Sequence, residues 1–232
     1  MSDKDLNNEE VINSNDTQQS VDTLAKTEEV ILKNKKRITN ILLGVVILLS
    51  VFIFLKKQVW EPNEIEAKNL AFEAQALFEK DSFELALPIF EQIVEEYGST
   101  DAGNGALLYL GIIHLNLGNF DDAVTNLKSF SAKGEIFPAM RFGLLADAYS
   151  ELNDIENSVD NYKKAAKAAD SKVLSGLYLK KAGILLEQNN DFATAVSIYE
   201  EILDKYFFEE NQELSRERDE VIQLLNRAKV NI

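Results

Sequence analysis

Small residues recur in this chain at a fixed interval, and that interval constrains the fold more than any other feature. Ala86, Ala123, Ser158 and Ala195 stand 37, 35 and 37 residues apart. Another small residue lies 12 positions before each of them: Ala74, Gly111, Ala146 and Gly183. A large apolar side chain stands three positions before each member of the first set, at Phe83, Phe120, Ile155 and Phe192. A second stands four positions after, at Phe90, Leu127, Tyr162 and Tyr199. Two antiparallel helices cross closely only where small residue meets small residue, and the large ones then fill the space toward the next pair. The intervening stretches LNLGNFDD, LNDIEN and QNNDFAT supply Gly, Asn and Asp where the chain must reverse. The pattern predicts helix pairs at 107–130, 142–165 and 179–202, with a looser copy at 70–93.

This period resembles that of the tetratricopeptide repeat family, whose unit is about 34 residues. The resemblance implies an all-α chain with about four repeats over residues 66–210, stacked as an α-solenoid. The sequence departs from the family pattern in two ways. No proline ends a second helix, and Pro88 falls inside one, which predicts a kinked or irregular first repeat. The stretch 211–230 is amphipathic, with Leu214, Val221, Leu224 and Leu225 on one face. It is expected to cap the last repeat, because a stack of helix pairs otherwise ends on an apolar face.

Ahead of the repeats, Ile38 to Leu55 (ITNILLGVVILLSVFIFL) carries no charge. A helix of that length spans ~27 Å, close to the ~30 Å hydrocarbon core of a bilayer. The reading is an uncleaved transmembrane helix over 38–55. Five basic residues lie within Lys26–Arg37 and only Lys56 and Lys57 follow the span, so the N-terminus is expected in the cytoplasm and the rest across the membrane. In a bacterium that is the inner membrane and the periplasm, with Trp60 as an interfacial anchor. Residues 1–37, polar and poor in apolar clusters, are expected to be a disordered cytoplasmic tail. Residues 56–65 read as a linker in which Pro62 either breaks the first helix or opens the next.

Charge and chemistry narrow the function. The net charge is −15, and residues 1–60 balance at 8 acidic and 8 basic side chains, so residues 61–232 hold the whole excess. A field of that sign repels nucleic acid and anionic headgroups. With no cysteine and His114 as the one histidine, neither a thiolate nucleophile nor a His-based triad or metal site can be assembled. His114 falls at a packing position of a helix. There is no phosphate-binding glycine loop, and pairs such as Asp121–Asp122 read as solvated surface. No enzyme and no cofactor are expected.

The family resemblance implies that the first helix of each repeat lines a concave groove. The mapping gives Phe72, Gln75 and Phe78 in repeat one, and Leu108, Tyr109, Ile112 and Leu115 in repeat two. It gives Leu144, Asp147 and Glu151 in repeat three, and Lys180, Lys181, Ile184 and Glu187 in repeat four. Family members that hold chaperone C-termini use a Lys–Asn clamp for the terminal carboxylate. Here Lys180 matches the lysine, but Ile184 replaces the asparagine, and repeat two has Leu108 and Ile112 at these sites. The expected ligand is therefore an amphipathic helix or an extended apolar segment of a partner protein.

The layout of tail, single span and repeats resembles the ancillary subunit of the bacterial SecYEG translocon, most closely along EEYGSTDAGNGALLYLGIIHLNLGNFDDA (residues 95–123). This resemblance implies two protein partners, the SecYEG translocon and a membrane-anchored periplasmic isomerase-type chaperone. It also implies a scaffold role in handing exported chains from one to the other. The same layout also suits an envelope or cell-wall assembly factor, or a ligand-sensing regulator.

Overall fold

A computed structural model describes residues 33–57, 61–206 and 215–232, all-helical apart from turns. Of the expected tail over 1–37, residues 1–32 lie outside these residues, as do Trp60 and Leu214, while residues 35–37 are corrected to the first turn of the helix expected from Ile38. The chain divides into two units, one ending at Glu61 and one beginning at Pro62. The first contains α1, Lys35–Leu55, in which no residue is buried. It is long and apolar enough to cross a membrane. Its hydroxyls are satisfied within the helix: Thr39 donates to the Lys35 carbonyl and Ser50 to that of Val46, both at 2.8 Å. Such intrahelical bonds satisfy a hydroxyl without calling on water.

The second unit is a tetratricopeptide-repeat solenoid of four helix pairs and a final helix. Its elements are α2 (Glu61–Phe78) with α3 (Phe83–Tyr97), α4 (Asp101–Leu117) with α5 (Phe120–Ser129), α6 (Phe137–Glu151) with α7 (Ile155–Ala168), and α8 (Lys172–Gln188) with α9 (Phe192–Lys205), closed by α10 (Ser215–Val230). The linker is shorter than the expected 56–65: α2 already starts at Glu61, with Pro62 in its first turn, where a missing N–H costs no helical bond.

One turn is built four times. Each first helix ends on a residue in the left-handed region: Asp81 (φ 55°), Gly118 (77°), Asn153 (56°) and Asn190 (61°). Gly, Asn and Asp tolerate this conformation best. At every turn the next residue's N–H reaches five positions back. Ser82, Asn119, Asp154 and Asp191 donate to the carbonyls of Leu77, His114, Tyr149 and Leu186 at 2.8–3.0 Å. This is the Schellman closure, which satisfies carbonyls that a helix end leaves open. Asp154 and Asp191 then cap the second helices by accepting from the Asn157 and Thr194 N–H groups.

The small-residue register holds throughout. Ala86, Ala123, Ser158 and Ala195 are all fully buried, as are Ala74 and Ala146. Ser158 fits because its Oγ donates to the Ala146 carbonyl at 2.8 Å. A Cβ on Gly111 would meet Leu127 at 2.5 Å, and one on Gly183 would meet Tyr199 at 2.4 Å. Both large residues are fully buried and lie 16 positions after their glycine, like Phe90 after Ala74 and Tyr162 after Ala146. The expectation of an irregular first repeat is corrected. α3 runs unbroken through Pro88, and Ala86, Phe90 and Ile93 on its inner face are fully buried. Packing of that face holds the helix across the one hydrogen bond that proline removes.

Two glycines of α4 separate packing from propensity. Gly105 faces open space, whereas Gly111 faces Leu127. Gly105→Ala is expected to stabilise the domain by about 0.5–1 kcal/mol, and Gly111→Leu to destabilise it by about 3 kcal/mol or more. Thermal melts of the two variants check this; a shift of equal size and sign would contradict it.

Candidate partner-binding groove

Helix periodicity sorts the candidate residues before any contact is considered. Adjacent residues lie about 100° apart around a helix axis, so two neighbours cannot both face one groove. The repeat register aligns Phe72 with Tyr109, Leu144 and Lys181. In every later repeat this position points at the repeat before it. Tyr109 stacks on Phe90 at 4.8 Å and meets Phe78 edge-on at 5.1 Å. Leu144 packs against the cluster formed by Leu108, Leu127 and Leu145. Lys181 Nζ bonds to Asp147 Oδ1 at 2.6 Å. The assignment of Tyr109, Leu144 and Lys181 to a free groove is therefore corrected: they join repeats. Phe72 occupies this joint position with no repeat before it and is 77% exposed.

A second correction concerns Leu108, which is buried at 8% exposure in the core that repeats two and three share. Its register mates are Ala71, Gly143 and Lys180. Gly143 too is a joint, because a Cβ there would fall 2.4 Å from the Tyr178 ring of the next repeat. Phe78 is likewise engaged, edge-on to Phe83 at 5.5 Å. Ile112, Leu115 and Ile184 are half-buried, each with one side in the core and the other on the surface. Of the apolar candidates in repeats two to four, these three remain available along the first-helix face. A cleft of about 470 Å³ opens at the start of α4, lined by Asn104, Gly105, Leu108, Tyr109 and Phe137 among others. Asn104 shapes it by gripping the Ser131 backbone twice, accepting from its N–H at 2.8 Å and donating to its carbonyl at 3.2 Å.

The charged candidates are engaged with one another. Asp147 accepts from Lys181 and also from the Tyr162 hydroxyl, and Lys181 lies 5.3 Å from the centre of that ring. Burial, then the bond to Asp147, push the Tyr162 phenol far above its ordinary range, so it stays a donor. Lys180 donates to Glu220 of α10 at 2.8 Å. Glu187 accepts from the Tyr199 hydroxyl at 2.6 Å and from Arg227 of α10 at 2.8 and 3.1 Å. Sequence reading missed these ties. The phase of α10 against α8 is invisible in the sequence, although the recurrence of Tyr162 and Tyr199 at one register was a signal. Of the remaining candidates, Gln75 is half-buried and Glu151 exposed.

The Glu187–Arg227 contact yields a pH prediction. Burial raises the Glu187 pKa, but the bonds from Arg227 and Tyr199 outweigh it and leave the carboxyl below its ordinary 4.5. A depressed carboxylate stabilises the fold above its unfolded pKa, and the contribution disappears as pH falls through the folded value. The Glu187 side chain is 8% exposed and Arg227 is 57% exposed. Arg227→Ala is therefore expected to cost about 1–2 kcal/mol at pH 7. Urea denaturation of both proteins should show that gap closing below pH 4.5; a gap unchanged at pH 3 would contradict it.

Comparison with known proteins agrees with this geometry. Family models described as tetratricopeptide repeat match residues 73–128 and 142–172. No curated protein sequence matches the chain. Among solved structures, the chain is similar to MamA 41-end from Desulfovibrio magneticus RS-1, with 18% identity over 65% of this chain and 80% of that one, at a TM-score of 0.54. It is also similar to a Podosopora anserina protein described as a kinesin light chain with nearly identical TPR-like repeats. That match has 16% identity over 72% of this chain and 86% of that one, with a TM-score of 0.56. At these identities the likeness is one of fold.

Proposed function

We propose, from the premise of a tetratricopeptide-repeat solenoid behind an apolar N-terminal helix, that this protein is a membrane-anchored scaffold working by contact and not by catalysis. The observation that carries the reading is the pairing of these two units in one chain: a helix that carries no charge from Ile38 to Leu55 and satisfies its two hydroxyls internally, and a stack of helix pairs with half-buried aliphatics on its first helices. Stacked repeats make extended surfaces suited to binding other proteins. The excess of Lys and Arg before Ile38 supports an N-terminus in the cytoplasm and a repeat unit in the periplasm. In the finer form of the proposal, the partners are the SecYEG translocon and a membrane-anchored isomerase-type chaperone, and the scaffold links exported chains to that chaperone. The layout resemblance supports this reading, and the missing carboxylate clamp favours an apolar segment of the partner over its charged chain end as the ligand.

Ile112 and Ile184 carry the test, since Leu108 belongs to the core. Exposing spheroplasts to protease should remove the repeat unit and spare the tail. Crosslinking the full chain in intact membranes should recover translocon and chaperone subunits. The double variant Ile112→Ser/Ile184→Ser should lower that recovery about tenfold, as expected for two aliphatic contacts each worth ~1.5 kcal/mol or less at a partly buried site. Its melting temperature should fall by only a few degrees. Recovery of neither subunit removes the translocon reading, and unchanged recovery with the variant moves the interface off the groove.

A further inference from the structure

The array of helix pairs is closed at one end and open at the other. At the far end α10 turns Arg216, Asp219, Gln223 and Asn226 outward, all exposed, and buries Val221, Leu224, Leu225 and Ala228. That is the polar end face a repeat array needs. At the near end α2 buries Ala67 and Ala74, and its opposite face carries Ile65, Asn69, Phe72 and Ala76. Ile65 is 62% exposed and Phe72 77%. The position of Phe72 joins repeats in the other three copies, so this face has the chemistry of a repeat joint and is left exposed among the described residues.

The surroundings select the occupant. Glu61, Glu66, Glu73 and Glu79 are exposed around the stripe. Of the two lysines nearby, Lys68 pairs with Glu64 at 3.2 Å, leaving Lys80 against four carboxylates. A second copy would bring the same acidic rim against itself, and anionic headgroups would be repelled in the same way. Within the chain, residues 207–214 connect α9 to α10, and residues 1–32 precede α1, which the proposed topology puts across the membrane. We infer that the α2 face is the docking site of an amphipathic helix from another protein, apolar along one stripe and flanked by Lys and Arg, which takes the place of the absent preceding helix. The inference rests on the proposed topology only in setting aside the chain's own tail, and its test does not involve translocon or chaperone.

The probe is a fluorescent helical peptide of about 20 residues with Leu at i, i+3, i+4 and i+7 and Lys on the flanks, beside a second in which Glu replaces Lys. Both are titrated by anisotropy against the full chain in phosphatidylcholine nanodiscs, with empty discs subtracted. The Lys-flanked peptide is expected to bind at least about tenfold more tightly, a difference of ~1.4 kcal/mol. Phe72→Asp should weaken it at least about tenfold at unchanged helicity, and the groove variant Ile112→Ser/Ile184→Ser should leave it intact. Should Phe72→Asp lose helicity, the charge reversal Glu66→Lys/Glu73→Lys keeps the stripe and should weaken binding in the same sense. Equal binding of both peptides, or no effect of Phe72→Asp, would overturn the inference. So would a dimer in sedimentation that Phe72→Asp dissolves, or shielding of Phe72 that requires phosphatidylglycerol in the disc.

Discussion

Contact between a residue with almost no side chain and a large buried one, 16 positions further along, sets the geometry of the whole repeat unit. Leu127 over Gly111 and Tyr199 over Gly183 leave no room for a Cβ. Phe90 and Tyr162 lie at the same offset from Ala74 and Ala146. Because these pairs fix how closely two helices cross, they also fix where the first helix must end and turn back. The four left-handed residues and the four identical Schellman closures follow from that. Repetition of one short-range solution then generates a long surface without long-range pairing, which is the physical economy of a solenoid.

The joints between repeats are solved differently along the array. The first joint is aromatic, with Tyr109 against both Phe78 and Phe90. The second is aliphatic, around Leu108, Leu127 and Leu145. The third brings in the Asp147–Lys181 pair and the Tyr162 hydroxyl, and the cap adds Lys180–Glu220 and Glu187–Arg227. Polar bonds need matched partners at fixed distance, so they specify which helix sits where, while apolar contact alone tolerates sliding. The polar end is thereby bound to its own cap. The apolar end stops at α2 with Phe72 uncovered, and the two ends of the protein are suited to different tasks.

Much of this was written in the period. Ala86 to Ala195, their mates at Ala74 to Gly183 and the large residues around them placed every helix pair, and the turn chemistry of Gly118, Asn153 and Asn190 placed the reversals. Side-chain direction was legible less well. Leu108 and Tyr109 were both assigned to the groove although neighbours on a helix diverge by about 100°; one is core and the other a joint. Lys180 and Glu187 looked like groove charges because the phase of α10 depends on tertiary packing that no local pattern encodes. Pro88 looked disruptive because propensity was judged without the fully buried face that holds α3 together.

The repeat unit is a stack of nearest-neighbour contacts, capped at one end and exposed at the other, and native-state hydrogen exchange on the full chain reads that directly. Graded protection is expected: amides of α2 exchange first among the repeat helices, those of α4 to α9 last, and α10 keeps pace with α8 and α9 through ion pairs from Glu220, Arg227 and Lys229. Uniform protection from α2 to α10, or an α10 that opens before α2, would contradict it.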